Sequence, residues 1–160
     1  MAQPTFLDAQ VRDVRCGERV RIVTPSDVYE CDFGDDCFVG PFVEIQNGVR
    51  IGARTKVQSH AFICELVEIG SDCFDGRGVM FVNHLFTIGG PTRVQRDLWL
   101  ATQLGNRVSL GSNATILPVS ICGGVVIGSG AVGTRNITDP GIYAGNPARP
   151  LCPLQVHAAP

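Results

Sequence analysis

No apolar run in the 160-residue chain approaches the ~20 residues needed to span a bilayer, which argues against a membrane-spanning helix. Met1 to Gln10 shows no charged-then-apolar segment ahead of a cleavage site, so no export signal is visible. An excess of charge of one sign is also missing: 13 Lys plus Arg stand against 15 Asp plus Glu, a formal net charge of −2. A nucleic-acid binder would carry a basic excess and a membrane-surface helix a basic face; the chain has neither. Paired cysteine spacing is lacking as well. Cys16, Cys31, Cys37, Cys64, Cys73, Cys122 and Cys152 are odd in number and form no Cys-x-x-Cys, so reduced thiols in a cytoplasmic protein are expected. A sustained 3.6-residue apolar period is absent, and 19 Gly with 10 Pro leave little room for helix. The hydrophobic fraction of 44% is too high for a disordered chain. The length fits one domain, large enough to fold without disulfides or metal.

What is present is a period of six. From Phe33 a bulky apolar residue recurs at Val39, Ile45, Ile51, Val57, Ile63, Ile69 and Phe81, with Asp75 the one miss. A second, smaller set follows each by four: Cys37, Val43, Val49, Thr55, Ala61, Val67, Cys73 and Val79. The pattern resumes with Leu104/Val108, Leu110/Ala114, Ile121/Val125 and Ile127/Ala131. Residues two apart on a strand share a side, so each small–large pair points one way. Glycine often follows the large residue, and its freedom to adopt positive φ suits a corner there. One short strand plus one corner is a six-residue unit; three units close a triangular coil, and stacked coils share one apolar column. The expected fold is all-β, a parallel β-helix of about six coils over residues 16–135. Residues 1–15 are then an N-terminal cap or loose segment, and 136–160 a C-terminal segment of the same single domain. Five-residue units at Val28–Asp32 and Ile116–Ser120 interrupt the register. Cys37 and Cys73 hold inward positions, where packing is their expected role.

Two motifs are coincidental on this pattern. Gly128-Ser129-Gly130-Ala131-Val132-Gly133 matches the dinucleotide fingerprint, but it opens no helix and has no acidic residue at the required distance. The sequons at Asn113 and Asn136 have no export signal to make them relevant.

The hexads resemble those of the left-handed β-helix acyltransferases, the hexapeptide-repeat superfamily, and left-handedness is what this resemblance implies. A closer likeness to nucleotide-amino-sugar N-acetyltransferases rests on Lys56-Val57-Gln58-Ser59-His60, Glu65, the run Ile69 to Gly76, and Phe81-Val82-Asn83. Leu110 to Thr115, Ile127 to Val132 and the closing Ala144-Gly145-Asn146-Pro147-Ala148-Arg149 belong to it too. The resemblance implies an acetyl-CoA-dependent acyltransferase, most closely an N-acetyltransferase acting on a nucleotide-linked amino sugar, working as a homotrimer with sites between subunits. The chain departs from that branch at Ser59 and His60, where two asparagines are common. It departs again at His84, which resembles the O-acetylating and xenobiotic-acetylating branches, where a histidine acts as general base.

With three hexads per turn, residues 18 apart stack. Asn47, Glu65 and Asn83 share one corner column and Gly48, Leu66 and His84 the next, so Glu65 is expected to orient or charge-stabilise His84 on an outward-facing edge. After His84 the period collapses until Leu104, and an insertion leaving a rigid scaffold beside polar corners is where function sits. His84 is the expected general base, with Asn83 and Glu65 as catalytic partners. Gln58, Ser59, His60, Arg93, Arg96 and Trp99 are the expected acceptor contacts, an arginine meeting an anionic group such as phosphate. For the CoA arm, the candidates are the small corner residues Gly111, Ser112, Ser129, Gly130, Ala131, Gly133 and Thr134, with Arg135, Arg149 and the Asn146-Pro147 turn. Two other classes compete with this reading. A zinc hydrolyase needs three converging histidines and has only His60, His84 and His157 to draw on, so no metal is expected. A non-catalytic assembly β-helix would leave the insertion and the closing motif without a use.

Overall fold

The computed structural model describes residues 11–87, 89 and 96–154. Two- to four-residue strands wind through three parallel sheets of seven, six and eight strands, and every third strand pairs with the next above it. The first face carries Glu44–Ile45, Phe62–Ile63, Met80–Phe81 and Thr115–Ile116; the second Arg50–Ile51, Val67–Ile69 and Thr102–Leu104; the third Lys56–Val57, Phe74–Asp75 and Ser109–Leu110. The solenoid of about seven turns matches the left-handed β-helix. Strand pairing begins at Val11 against Val28 and continues to Gly141–Ala144 against Val125–Ile127, one coil more than the six expected over residues 16–135. The last strand, Arg149–Cys152, folds back antiparallel on Gly141–Ala144 and caps the column.

Register follows the hexads. Ile45, Ile63 and Val57 stack on neighbours 18 residues away, whereas the five-residue units shorten the step to 17, as in Val28↔Ile45 and Leu104↔Ile121. Both inward series are buried, including the partial match at Thr55 and the miss at Asp75. Burying an aliphatic side chain of this size contributes about 1.5–3 kcal/mol, so some two dozen of them supply the driving force.

The glycines that follow the large residues owe their place to a different cause from the one expected. They are not at positive φ; the left-handed positions two residues later are held by Asp36, Phe42, Arg54, Asp72, Arg107 and Asn113. What excludes a side chain is the next coil. A Cβ on Gly105 would stand 2.5 Å from the Gly123 nitrogen, and one on Gly111 2.4 Å from the Ser129 nitrogen.

Charge on the outer surface is arranged by the same stacking. Arg15–Asp32 and Arg54–Asp72 pair at 2.6 Å across adjacent coils, and Arg50 pairs with Glu68. The arginine partners hold the Asp32 and Asp72 carboxyls below their ordinary range. These pairs are exposed, so each adds little stability on its own.

Candidate active site

The 17 residues added between the first and second faces leave the coil at Asn83 and return at Leu100, whose N–H donates to the Asn83 carbonyl at 2.7 Å. Thr102 N–H donates to Leu66 O at 3.0 Å and restarts the ladder. The insertion therefore stands directly on the column of Glu65 and Asn83. Asn83 Nδ2 donates to the Glu65 carbonyl at 3.3 Å, and Gln46 Oε1 accepts the Glu65 N–H at 3.3 Å.

His84 does not face outward as a corner residue was expected to. It is 5% exposed, because Phe86 folds back with its ring edge-on at 4.7 Å and its backbone N–H donating to His84 Nδ1 at 3.0 Å. With the Nδ1 lone pair so engaged, the neutral ring carries its proton on Nε2. Nor does Glu65 serve His84: its carboxylate lies 3.4 Å from Arg96, whose guanidinium in turn stands 5.4 Å from the centroid of Trp99.

These groups bound a cleft of about 350 Å³ lined by Gln46, Phe62, Cys64, Phe81, Val82, Asn83, His84, Phe86 and Trp99. Among the described residues no charged side chain lines it. Burial pushes the Cys64 thiol up to about 12, so at neutral pH it is a thiol and not a nucleophilic thiolate. Gln46, Phe62 and Cys64 escaped the sequence reading, although the 18-residue step predicts Gln46 and Cys64 one position before Asn47 and Glu65. Phe86 carries no such signal, since the insertion has no register.

The remaining candidates fall elsewhere. Gln58, Ser59 and His60 occupy the corner between the third and first faces, where His60 stacks on Phe42 at 5.0 Å and 11°. Directly above them, Ser59 O accepts from Gly78, Arg77 O from Asn113, and Ser112 O from Gly130, so His60, Gly111, Ser112, Ser129 and Gly130 share one edge of the prism. Arg77, unnoticed in the sequence, sits between Ser59 and Ser112 on that edge. Ala131 is buried in the core, so its methyl group is not presented on that edge. Gly133, Thr134, Arg135 and Arg149 do meet, in a second cleft of about 190 Å³ at the C-terminal end, under the turn made by Gly145 to Ala148. Among the described residues that cleft presents two arginines and no carboxylate. Arg93 and His157 lie outside the described residues. Among the described residues no group of three or more His, Cys, Asp or Glu side chains converges as metal ligands would. A wider groove of about 900 Å³ runs along the second face, but it is open, its Arg50 and Glu68 neutralise each other, and it holds none of the candidate residues.

The family described as bacterial transferase hexapeptide (six repeats) matches residues 31–65. The bifunctional protein GlmU of Neisseria meningitidis serogroup C is 35% identical over 106 residues, 66% of this chain and 21% of that protein. The chain thus spans about a fifth of that relative's length. Perosamine N-acetyltransferase from Caulobacter crescentus, solved as a point variant with CoA and GDP-perosamine, superposes with a TM-score of 0.70 at 21% identity, covering 82% of this chain and 56% of that one. Galactoside acetyltransferase in complex with CoA gives a TM-score of 0.66 at 26% identity, with 77% and 64% covered. Among the described residues no helix is long and apolar enough to cross a membrane.

Proposed function

We propose that this chain, a hexapeptide-repeat β-helix, is an acetyl-CoA-dependent acyltransferase that acetylates the amine of a nucleotide-linked amino sugar. The observation that carries the reading is the cleft itself: an insertion placed on a hexapeptide coil so that His84, Asn83 and an aromatic wall enclose room for one reacting group. Solved proteins of this fold were captured with CoA, and one of them with a nucleotide sugar as well.

Attack of the acceptor on a thioester needs a nucleophile with a free lone pair, stabilisation of the tetrahedral oxyanion, and positioning of both substrates. The tautomer held by Phe86 N–H leaves His84 Nε2–H as a donor. A donor suits an amine: the free base attacks the thioester carbonyl while Nε2–H steadies the oxyanion, and on collapse the C–S bond breaks and CoA leaves as the thiol, taking up the proton that the new ammonium sheds. A hydroxyl acceptor would need Nε2 as the base, and Phe86 would have to release Nδ1. The histidine that resembles the O-acetylating branch therefore sits here in the arrangement that favours N-acetylation. Asn83 Oδ1 can accept from the nucleophile while Glu65 acts at one remove.

On the donor side, Arg135 and Arg149 would meet the phosphates of CoA, and the Ser112–Gly130 edge offers small residues along which a pantetheine arm can lie. The exposed Phe42, Leu66 and Met80 flank the first face and its two corners. They support assembly as a homotrimer in which that face meets a neighbour and brings the His60 edge towards a partner's cleft. All seven cysteines are free, in keeping with a cytoplasmic enzyme. Mass spectrometry of products from acetyl-CoA with amino-sugar nucleotides, and separately with simple hydroxyl acceptors, tests the proposal. An acetamido product is expected. Absence of any product together with absence of CoA binding would leave a non-catalytic assembly subunit.

A further inference from the structure

The sequence suggests Arg96 as a phosphate contact, but its surroundings give it other work. Its guanidinium faces a carboxylate whose side chain is only 17% exposed, while Arg96 itself is 65% exposed. A carboxylate drawn that far out of water depends on its partner, and removing the partner leaves an uncompensated charge. The same guanidinium lies over the indole of Trp99, within cation–π range. The backbone N–H of Trp99 also donates to the Arg96 carbonyl at 3.0 Å across the short 3-10 turn Arg96–Leu98, which fixes the spacing of the two backbones. The chain from coil to indole thus runs Glu65, Arg96, Trp99.

The cleft that Trp99 closes has an aromatic wall and, among the described residues, no cation in its lining. A phosphate there would be desolvated without a counter-charge, which is costly, whereas a ring with an apolar face stacks favourably. Its 350 Å³ holds one ring with its substituents, not a whole nucleoside diphosphate sugar. The polar atoms complete the description. Gln46 uses Nε2 on Glu44 and Oε1 on the Glu65 N–H, and Asn83 uses Nδ2 on the Glu65 carbonyl. Among the described residues Asn83 Oδ1 and His84 Nε2–H have no partner, and Gln46 and Asn83 each keep a second amide N–H; one acceptor and a set of uncharged donors match an uncharged amine or hydroxyl on the ring.

We infer that Glu65 and Arg96 form a self-neutralising clamp that holds Trp99 as the stacking wall for the acceptor's uncharged sugar ring, and that Arg96 does not contact the acceptor's phosphates. Arg96 is on this account a positioning residue, and the inference rests on the amino-sugar reading above. The test compares a nucleotide-linked amino sugar with the same amino sugar free. Arg96→Gln is expected to raise KM for both by the same factor, on the order of tenfold, with KM for acetyl-CoA unchanged. Trp99 is the sole tryptophan, so its emission reports on this wall alone, and it shifts to the red in unliganded Arg96→Gln. The charge-swapped double variant Glu65→Arg/Arg96→Glu restores emission and KM towards wild type, which a fold defect would not allow. A loss confined to the nucleotide-linked acceptor, with emission unchanged, would make Arg96 a phosphate contact and overturn the clamp. Should the wild type bind CoA yet acetylate neither sugar, the functional reading fails; the unliganded emission then decides the clamp, a shift upholding it and no shift overturning it.

Discussion

Replacing Asp75 by asparagine should remove most of the pH dependence of this protein's stability between pH 5 and 8. Asp75 sits where every other large inward position of the central coils is Ile, Val, Leu or Phe, stacked between Val57 below and Leu110 above. It is 0% exposed and neither carboxylate oxygen has a hydrogen-bond partner. Burial therefore pushes its pKa from an ordinary 3.8 up to about 7. Cys73, two residues away, is itself pushed up to about 11, mainly by burial and in smaller part by Asp75, so it offers no compensating charge. Across pH 3.8 to 7 the unfolded chain has released this proton and the folded chain keeps it. The native state binds more protons there, so stability falls as pH rises through the window and levels off above about 7. The whole effect amounts to about 4 kcal/mol, of which about 3 kcal/mol lies between pH 5 and 8. Asp32, Asp36 and Asp72 do not confuse the measurement. Their pKa values are lowered by arginine partners, so their stabilisation is complete above the unfolded value of 3.8. Urea unfolding at pH 5 and pH 8 reads the difference. Wild type should lose about 3 kcal/mol more than Asp75→Asn over that interval, and Asp75→Leu, which extends the aliphatic column, should exceed wild type most at pH 8. Equal pH dependence in wild type and Asp75→Asn would refute the reasoning, since Asp75 would then not be titrating in the core.

Three further predictions concern the site and the coil. His84→Ala should lower turnover about tenfold with an amine acceptor, where a donor is lost, and by 10²–10⁴ or so with any hydroxyl acceptor that wild type accepts. Steady-state assays with both acceptors check this, and unchanged turnover with both removes His84 from the mechanism. Arg149→Ala, alone or with Arg135→Ala, should raise KM for acetyl-CoA several-fold while leaving turnover at saturation near wild type; calorimetric titration with CoA showing unaltered affinity would clear that cleft of the role. Gly105→Ala forces a Cβ to within 2.5 Å of the Gly123 backbone, so the coils must part locally. Thermal melts should show a loss of about 1–3 kcal/mol, and an unchanged melting temperature would mean that the coils have room there.

The solenoid was legible because its rule is local and repeats: a residue such as Ile63 needs only its neighbours two, four and six away to declare which way it points. The same arithmetic placed Glu65 and Asn83 on one column, and it contained Gln46 and Cys64 for a reader who shifted it by one. It misjudged Gly105 and Gly111, because the close approach that requires them comes from residues in the next coil. It also misjudged His84, whose burial is imposed by Phe86 from an insertion with no period.

Composition and the six-residue repeat alone determined that the chain winds as a β-helix, which residues fill its column and where the winding is interrupted, since strand alternation and coil closure follow from spacing within a few residues. The tertiary structure decided what the interruption does: that Glu65 holds Arg96 and not His84, that Phe86 sets the histidine's tautomer, and that Arg135 and Arg149 share a cleft. Those relations join residues whose separation follows no repeat, and only the folded path of the chain brings them within reach.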